Sequence, residues 1–168
     1  VSAVRLASLL AGLADVPAAL DVPVSRLVAD SRRVQPGDVF VALAGATTHG
    51  LRHADDVLAK GASAILHDGR APTDMVLGEA AAAHAIAAPG LRAALGALAD
   101  RVAGSPSSTL RVVGVTGTNG KTSTVQLIAQ ALERLGTPAG TIGTLGAGRV
   151  GRVVDGERTT PDVLSVHG

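Results

Sequence analysis

The chain has 168 residues, 46% of them apolar, and a formal net charge of +1. That length suits one ordinary domain, or one small domain and part of another. With no cysteine it forms neither disulfides nor thiolate metal sites, and its interspersed charges offer no footprint for nucleic acid or an anionic membrane.

In chain order, apolar spacing predicts a short helix over residues 4–13. A short strand over 27–29 ends in Asp30-Ser31-Arg32, and the Pro-Gly pair at 36–37 marks a turn before a strand over 39–43. Residues 45–50 form a Gly/Thr/His loop, and a helix over 52–60 is closed by Gly61. A strand over 62–66 follows. Residues 80–88 are ambiguous, with a strand placed near Ala85-Ile86. Pro89 opens a helix that runs to residue 103, in the first-turn position that proline favours. The small polar run at 104–108 marks a domain boundary, dividing the chain into residues 1–106 and 107–168.

An apolar β-rich run over 110–115 then breaks into Thr116-Gly117-Thr118-Asn119-Gly120-Lys121-Thr122, and a helical pattern follows over 122–135. Chains build a phosphate cradle in this way. Backbone N–H groups of the turn and the helix N-terminus face an anion, a lysine reaches the terminal phosphates, and a threonine hydroxyl suits Mg²⁺. The general P-loop pattern would need glycine at 115, where the chain has Val115, so the motif is a tighter variant. An ordinary Gly/Asn/Thr turn would leave the shared register of strand, turn, Gly-Lys-Thr and helix unexplained. A strand over 139–142 and a glycine-rich loop or hairpin over 143–156 complete the pass, and a further helix begins near Pro161. Strands alternating with helices predict an α/β fold: a substrate-binding α/β domain, then the start of a P-loop domain with a mostly parallel sheet.

No apolar stretch is long enough to span a bilayer, and the first residues lack the layout of a secretory signal, so the cytoplasm is the expected compartment and a monomer the expected state. The core must be built from Ala, Val, Leu and Ile, because Phe40 is the one aromatic and Met75 the one methionine.

Three motifs in order resemble those of the Mur ligase family, which makes peptidoglycan precursors. They are Asp30-Ser31-Arg32 with residues 36–42 and Gly45; the glycine turn over 116–122; and Gly140-Thr141-Ile142-Gly143-Thr144 with Thr159-Thr160-Pro161 after it. The last element favours the members that form the tripeptide.

The resemblance implies an ATP-dependent ligase. ATP phosphorylates the D-glutamate carboxylate of UDP-N-acetylmuramoyl-L-Ala-D-Glu, and the amine of a diamino acid, taken as meso-diaminopimelate, attacks the acyl phosphate. Mg²⁺ accompanies the nucleotide. Carried over by motif, Gly117, Thr118, Asn119, Gly120, Lys121, Thr122 and Ser123 bind ATP, with Lys121 and Thr122 the catalytic pair and Thr122 the Mg²⁺ contact. Ser31 and Ala29 fall at the uridine end of the substrate; the lesser alternative for Ser31 is a turn residue after the strand. Ala46, Thr47 and Thr48 fall in the loop that contacts the UDP-sugar. Thr159 and Thr160, with Arg158 beside them, match the pair that meets the muramoyl-peptide part; one of the threonines could also cap a helix before Pro161. His49 stands where many relatives carry aspartate, and a solvated loop histidine is the expectation for it. The family's acidic Mg²⁺ ligand, carbamylated lysine and diamino-acid-reading domain have no counterpart in these residues, so the chain reads as an N-terminal fragment, inactive alone. A P-loop kinase or GTPase, and a non-catalytic UDP-sugar-binding module, are the competing readings; the first lacks a counterpart to the Asp-Ser-Arg segment.

Overall fold

A computed structural model describes residues 3–45, 48–69, 71, 72, 74–154 and 164. The chain divides into two compact units, one ending at Thr109 and the other beginning at Leu110.

The first unit opens with strand β1 (Val4–Arg5), paired antiparallel with β2 (Pro23–Val24), and the one-turn helix α1 (Leu6–Leu9) between them. The predicted helix over 4–13 is therefore shorter and preceded by a strand. Two local causes account for this. The Asp21 carboxylate takes the Arg5 guanidinium at 2.9 Å and the Ala7 N–H at 2.9 Å, which draws residue 5 into an extended pairing and fixes where the helix starts. Gly12, at φ +79°, sits in the left-handed region and ends the turn that follows. The Ala7 N–H and then the arginine hold the Asp21 carboxyl below its ordinary value.

A four-stranded parallel sheet follows: β3 (Leu27–Val28), β4 (Val39–Ala42), β5 (Ala64–His67) and β6 (Ala85–Ala87), in that spatial order. Each crossover carries helical structure: a 3-10 turn at Ser31–Arg33, a 3-10 turn at Gly50–His53 leading into α2 (Ala54–Ala59), and α3 (Glu79–His84). The unit closes with α4 (Leu91–Val102). All four residues of β4 are buried, as expected of a parallel strand covered on both faces. Phe40 lies at its centre, fully buried, in a cluster with Val28, Val34, Ala42, Leu51, Ala54, Val57, Ala62, Ile65 and Ala81. Along α4, Leu91, Leu95, Leu98 and Ala99 are buried at helical spacing.

The helix predicted over 52–60 begins as a 3-10 turn, because the His49 side chain caps Leu51 and sets the tighter turn first. Gly61 ends it at φ +90°, packed against Pro36, so both the positive φ and the close approach call for glycine. Gly90, not Pro89, is the residue flanking α4; Pro89 lies with it in the turn between β6 and the helix. The ambiguous stretch at 80–88 resolves into α3 and β6, a switch of period within nine residues that propensity alone leaves open.

The second unit contains α5 (Lys121–Arg134) and an antiparallel meander of β7 (Gly140–Gly143), β8 (Gly146–Arg149) and β9 (Arg152–Val154). The glycine-rich stretch after β7 is thus a pair of hairpins. The strand predicted over 110–115 has no ladder: no described strand pairs with it, and Leu110, Val112 and Val113 are 63%, 86% and 63% exposed. Extended propensity becomes a strand only when a neighbour takes its N–H and C=O groups.

Phe40→Ala is expected to destabilise the first unit by about 3–5 kcal/mol, since the small residues around it cannot collapse into the space. Chemical denaturation of wild type and variant measures it, and a loss below 1 kcal/mol would show that the cluster is plastic.

Candidate functional site

Because β3, β4 and β5 run parallel, the segments after them gather at one edge of the sheet: among the described residues, 29–31, 43–45, 48–50 and 68–69. Ligands of open α/β sheets collect at this carboxyl edge. Asp30 organises the first segment. Its carboxylate caps the 3-10 turn by taking the Arg32 N–H at 3.0 Å and binds the Arg32 guanidinium at 2.9 and 2.6 Å. The arginine beside it lowers the Asp30 carboxyl to about 2.

Ser31, at the head of that turn, is partly buried. Its carbonyl accepts the Lys60 ammonium at 3.0 Å, while its hydroxyl takes no hydrogen bond among the described residues. The side chain that holds this turn is that of Asp30, and the serine hydroxyl is available to a ligand. Ala29 is exposed next to it.

In the second segment, the Gly45 N–H donates to the Thr48 carbonyl at 2.8 Å, the Gly50 N–H donates to the Leu43 carbonyl at 2.8 Å, and Ala44 pairs with His49. Thr48 is exposed. Gly50 lies so close to β4 that a Cβ there would come within 2.7 Å of the Ala42 Cα. Ala46 and Thr47 lie outside the described residues, as do Arg158, Thr159 and Thr160. His49 departs from the solvated residue expected: it is 8% exposed, its Nδ1 accepts the Leu51 N–H at 3.1 Å, and Leu51 is itself core. The residue after the loop must bury, and it takes its capping histidine with it.

In the second unit, Gly117 and Gly120 sit at φ +144° and +77°, and Gly120 flanks the N-terminus of α5. Two such glycines turn the chain so that the first N–H groups of a 14-residue helix point out of its end. The Lys121 ammonium folds back onto the carbonyls of Gly117 and Thr118. Thr118, Asn119 and Ser123 are exposed around the turn. The Thr122 hydroxyl lies 2.9 Å from the Thr144 hydroxyl, which reaches it from the end of β7, and Gln126 donates to the Thr141 hydroxyl at 3.2 Å. Thr144 was legible only as part of a motif; its place beside Thr122 needs the β7 pairing. Two hydroxyl oxygens together are donors of the hard kind that Mg²⁺ takes alongside phosphate oxygens and water. Farther along, Glu133 accepts the Ala139 N–H and the Arg149 guanidinium, which together hold its carboxyl below the ordinary range and fasten α5 to the meander.

The chain thus joins a parallel α/β unit to a glycine turn that opens a long helix. The Mur ligase family catalytic domain matches residues 23–103 and the Mur ligase middle domain matches residues 115–168, and the chain belongs to the Mur ligase family. A relative from Xanthomonas campestris, UDP-N-acetylmuramoyl-L-alanyl-D-glutamate--2,6-diaminopimelate ligase, is 60% identical over 92% of this chain. The Xylella fastidiosa protein of the same name is 55% identical over the same share. The chain spans about 30% of the length of each. A solved structure of a ligase of that name superposes with a TM-score of 0.75 at 25% identity, over 98% of this chain and 32% of the other.

Asp30 gives a pH prediction. Its folded value lies below the unfolded one, so the stability it contributes is present above about pH 4 and is lost as pH falls through about 2. The difference in thermal midpoint between wild type and Asp30→Asn should be constant at neutral pH and shrink across that window. The size is modest, because Arg32 is largely exposed. A difference that does not change with pH would remove Asp30 as the titrating group.

Proposed function

We propose that the chain carries the substrate-binding domain (residues 1–106) and the beginning of the ATP-binding domain (residues 107–168) of a MurE-type ligase. That enzyme adds meso-diaminopimelate to UDP-N-acetylmuramoyl-L-Ala-D-Glu in the cytoplasm, making peptidoglycan precursor. The observation that carries this reading is the glycine turn at the N-terminus of α5, in a chain 60% identical to a diaminopimelate ligase.

The chemistry follows from what these residues can do. A carboxylate is a poor electrophile until it is phosphorylated. Gly117, Thr118, Asn119, Gly120 and Ser123 offer the backbone and hydroxyl donors of an anion cradle, which holds a nucleotide's phosphates in line. Lys121 needs only side-chain rotation to exchange the carbonyls of Gly117 and Thr118 for β- and γ-phosphate oxygens. Thr122 and Thr144 would hold Mg²⁺, whose chemistry is to spread the charge of the transferring phosphoryl group. In the first unit, Ser31 and Ala29 form the uridine end of the substrate site. Ala46, Thr47 and Thr48 meet the UDP-sugar, and Arg158, Thr159 and Thr160 the muramoyl-peptide portion.

Lys121→Ala in the full-length protein should abolish ATP-dependent product formation, because no other group in the turn supplies a mobile cation to the terminal phosphates. Unchanged turnover would sink the nucleotide assignment.

Ser31→Ala should weaken binding of the UDP-muramoyl dipeptide by about 1 kcal/mol, the net worth of one neutral hydrogen bond, with ATP affinity unmoved. Titration calorimetry with both ligands decides it. Equal losses for the two ligands, or a drop in thermal stability with no binding defect, would return Ser31 to a role in the turn.

A further inference from the structure

Two cations from outside the Ser31–Arg33 turn hold its carbonyls. Arg26 donates to the Arg33 carbonyl at 3.1 Å, and Lys60 donates to the Ser31 carbonyl at 3.0 Å. The two are not equivalent. The Arg26 guanidinium is committed to the buried Asp38 carboxylate, so it belongs to the frame of the sheet. Lys60 flanks the C-terminus of α2, is partly exposed, and pairs with Asp56 one turn back at 2.7 Å. An exposed pair of that kind contributes little to stability. The end of α2 is fastened by other groups: Gly61 packs against Pro36, and its carbonyl takes the Gly37 N–H at 2.8 Å. Lys60 thus reaches from a fixed point to a carbonyl 29 residues away in the chain, and the fold does not rest on it.

We propose that Lys60 is a positioning residue for Ser31: by holding the Ser31 carbonyl it aims the Ser31 hydroxyl at the uridine end of the UDP-muramoyl substrate. The role rests on the functional reading above, in which Ser31 meets that end. Carbonyl and hydroxyl of one residue hang from the same Cα, so a donor that fixes the first restrains the backbone that directs the second. Asp30 caps the turn through the Arg32 N–H, and Lys60 adds a hold on Ser31 itself. A hydroxyl already aimed binds without first losing that freedom, and the gain appears as affinity for this one substrate. The glycine turn that serves ATP belongs to the second unit and takes no part in it.

Lys60→Met keeps the aliphatic stem and removes the donor. Calorimetric titration of the full-length protein with the UDP-muramoyl dipeptide and with ATP compares wild type, Lys60→Met, Ser31→Ala and the double variant. Lys60→Met is expected to weaken dipeptide binding about threefold. That is less than the roughly fivefold worth of one neutral hydrogen bond at Ser31, because the lysine acts only through that hydroxyl. KM for the dipeptide should rise in step, with kcat, ATP affinity and the thermal midpoint unchanged. The double variant should bind as Ser31→Ala alone does, since without the hydroxyl nothing is left to aim. Unchanged dipeptide affinity in Lys60→Met, an equal further loss when it is added to Ser31→Ala, or a loss shared with ATP would overturn the positioning role. Ser31→Ala that binds the dipeptide as well as wild type would overturn the placing of Ser31 at the substrate, and this role with it. A weakened Ser31→Ala beside an unaltered Lys60→Met would overturn this role alone.

Discussion

One buried carboxylate, Asp38, sets the frame of the first unit. It accepts the Arg26 guanidinium through both oxygens, at 3.0 and 2.7 Å, and the Gln35 N–H at 2.7 Å. The same guanidinium donates to the Arg33 carbonyl at 3.1 Å, and the Asp38 carbonyl takes the Ser63 N–H at 2.8 Å. Residues that lead into β3, β4 and β5 are thereby joined at one point. A bidentate pair of this kind has little freedom to slide, so it fixes the mutual register of three parallel strands. Register at the start of the strands determines which residues emerge at their other ends. The Asp-Ser-Arg turn and the loop at 45–50 thus depend on a group that lies at the opposite edge of the sheet. Removing Arg26 would leave the buried Asp38 carboxylate without its cation, a larger loss than that of an exposed ion pair.

Much of this was legible in the residues. The strands at 27–28 and 39–42 and the glycine that ends α2 are local signals, and local signals survive folding. Asp38 was read as part of a Pro-Gly turn, which it is; its partnership with Arg26, twelve residues earlier, is a tertiary fact that no window of sequence contains. His49 failed for the same reason. Histidine in a Gly/Thr loop looks solvated until the fold places Leu51 in the core and draws the capping side chain in with it. At the N-terminus, helical spacing in residues 4–13 competed with a carboxylate at Asp21 that favours an extended start.

The second unit separates two kinds of signal. The glycine turn encodes its own geometry, since positive φ at Gly117 and Gly120 and the start of α5 are decided within a few residues. The apolar run before it encodes only a preference. Its valines become a strand where a neighbouring strand takes their backbone groups, and the described residues offer none. The meander of β7, β8 and β9 lies between these cases: the glycines announce turns, and the pairing of Thr122 with Thr144 appears only once β7 is placed.

A core assembled around a single phenylalanine has an optical corollary. The chain contains neither tryptophan nor tyrosine, so it has almost no near-ultraviolet absorbance and no usable intrinsic fluorescence. Light emitted on illumination in that range would come from a contaminant, a bound chromophore or an introduced ring. One tryptophan placed on an exposed position of either unit would therefore report on that unit alone, against a dark background.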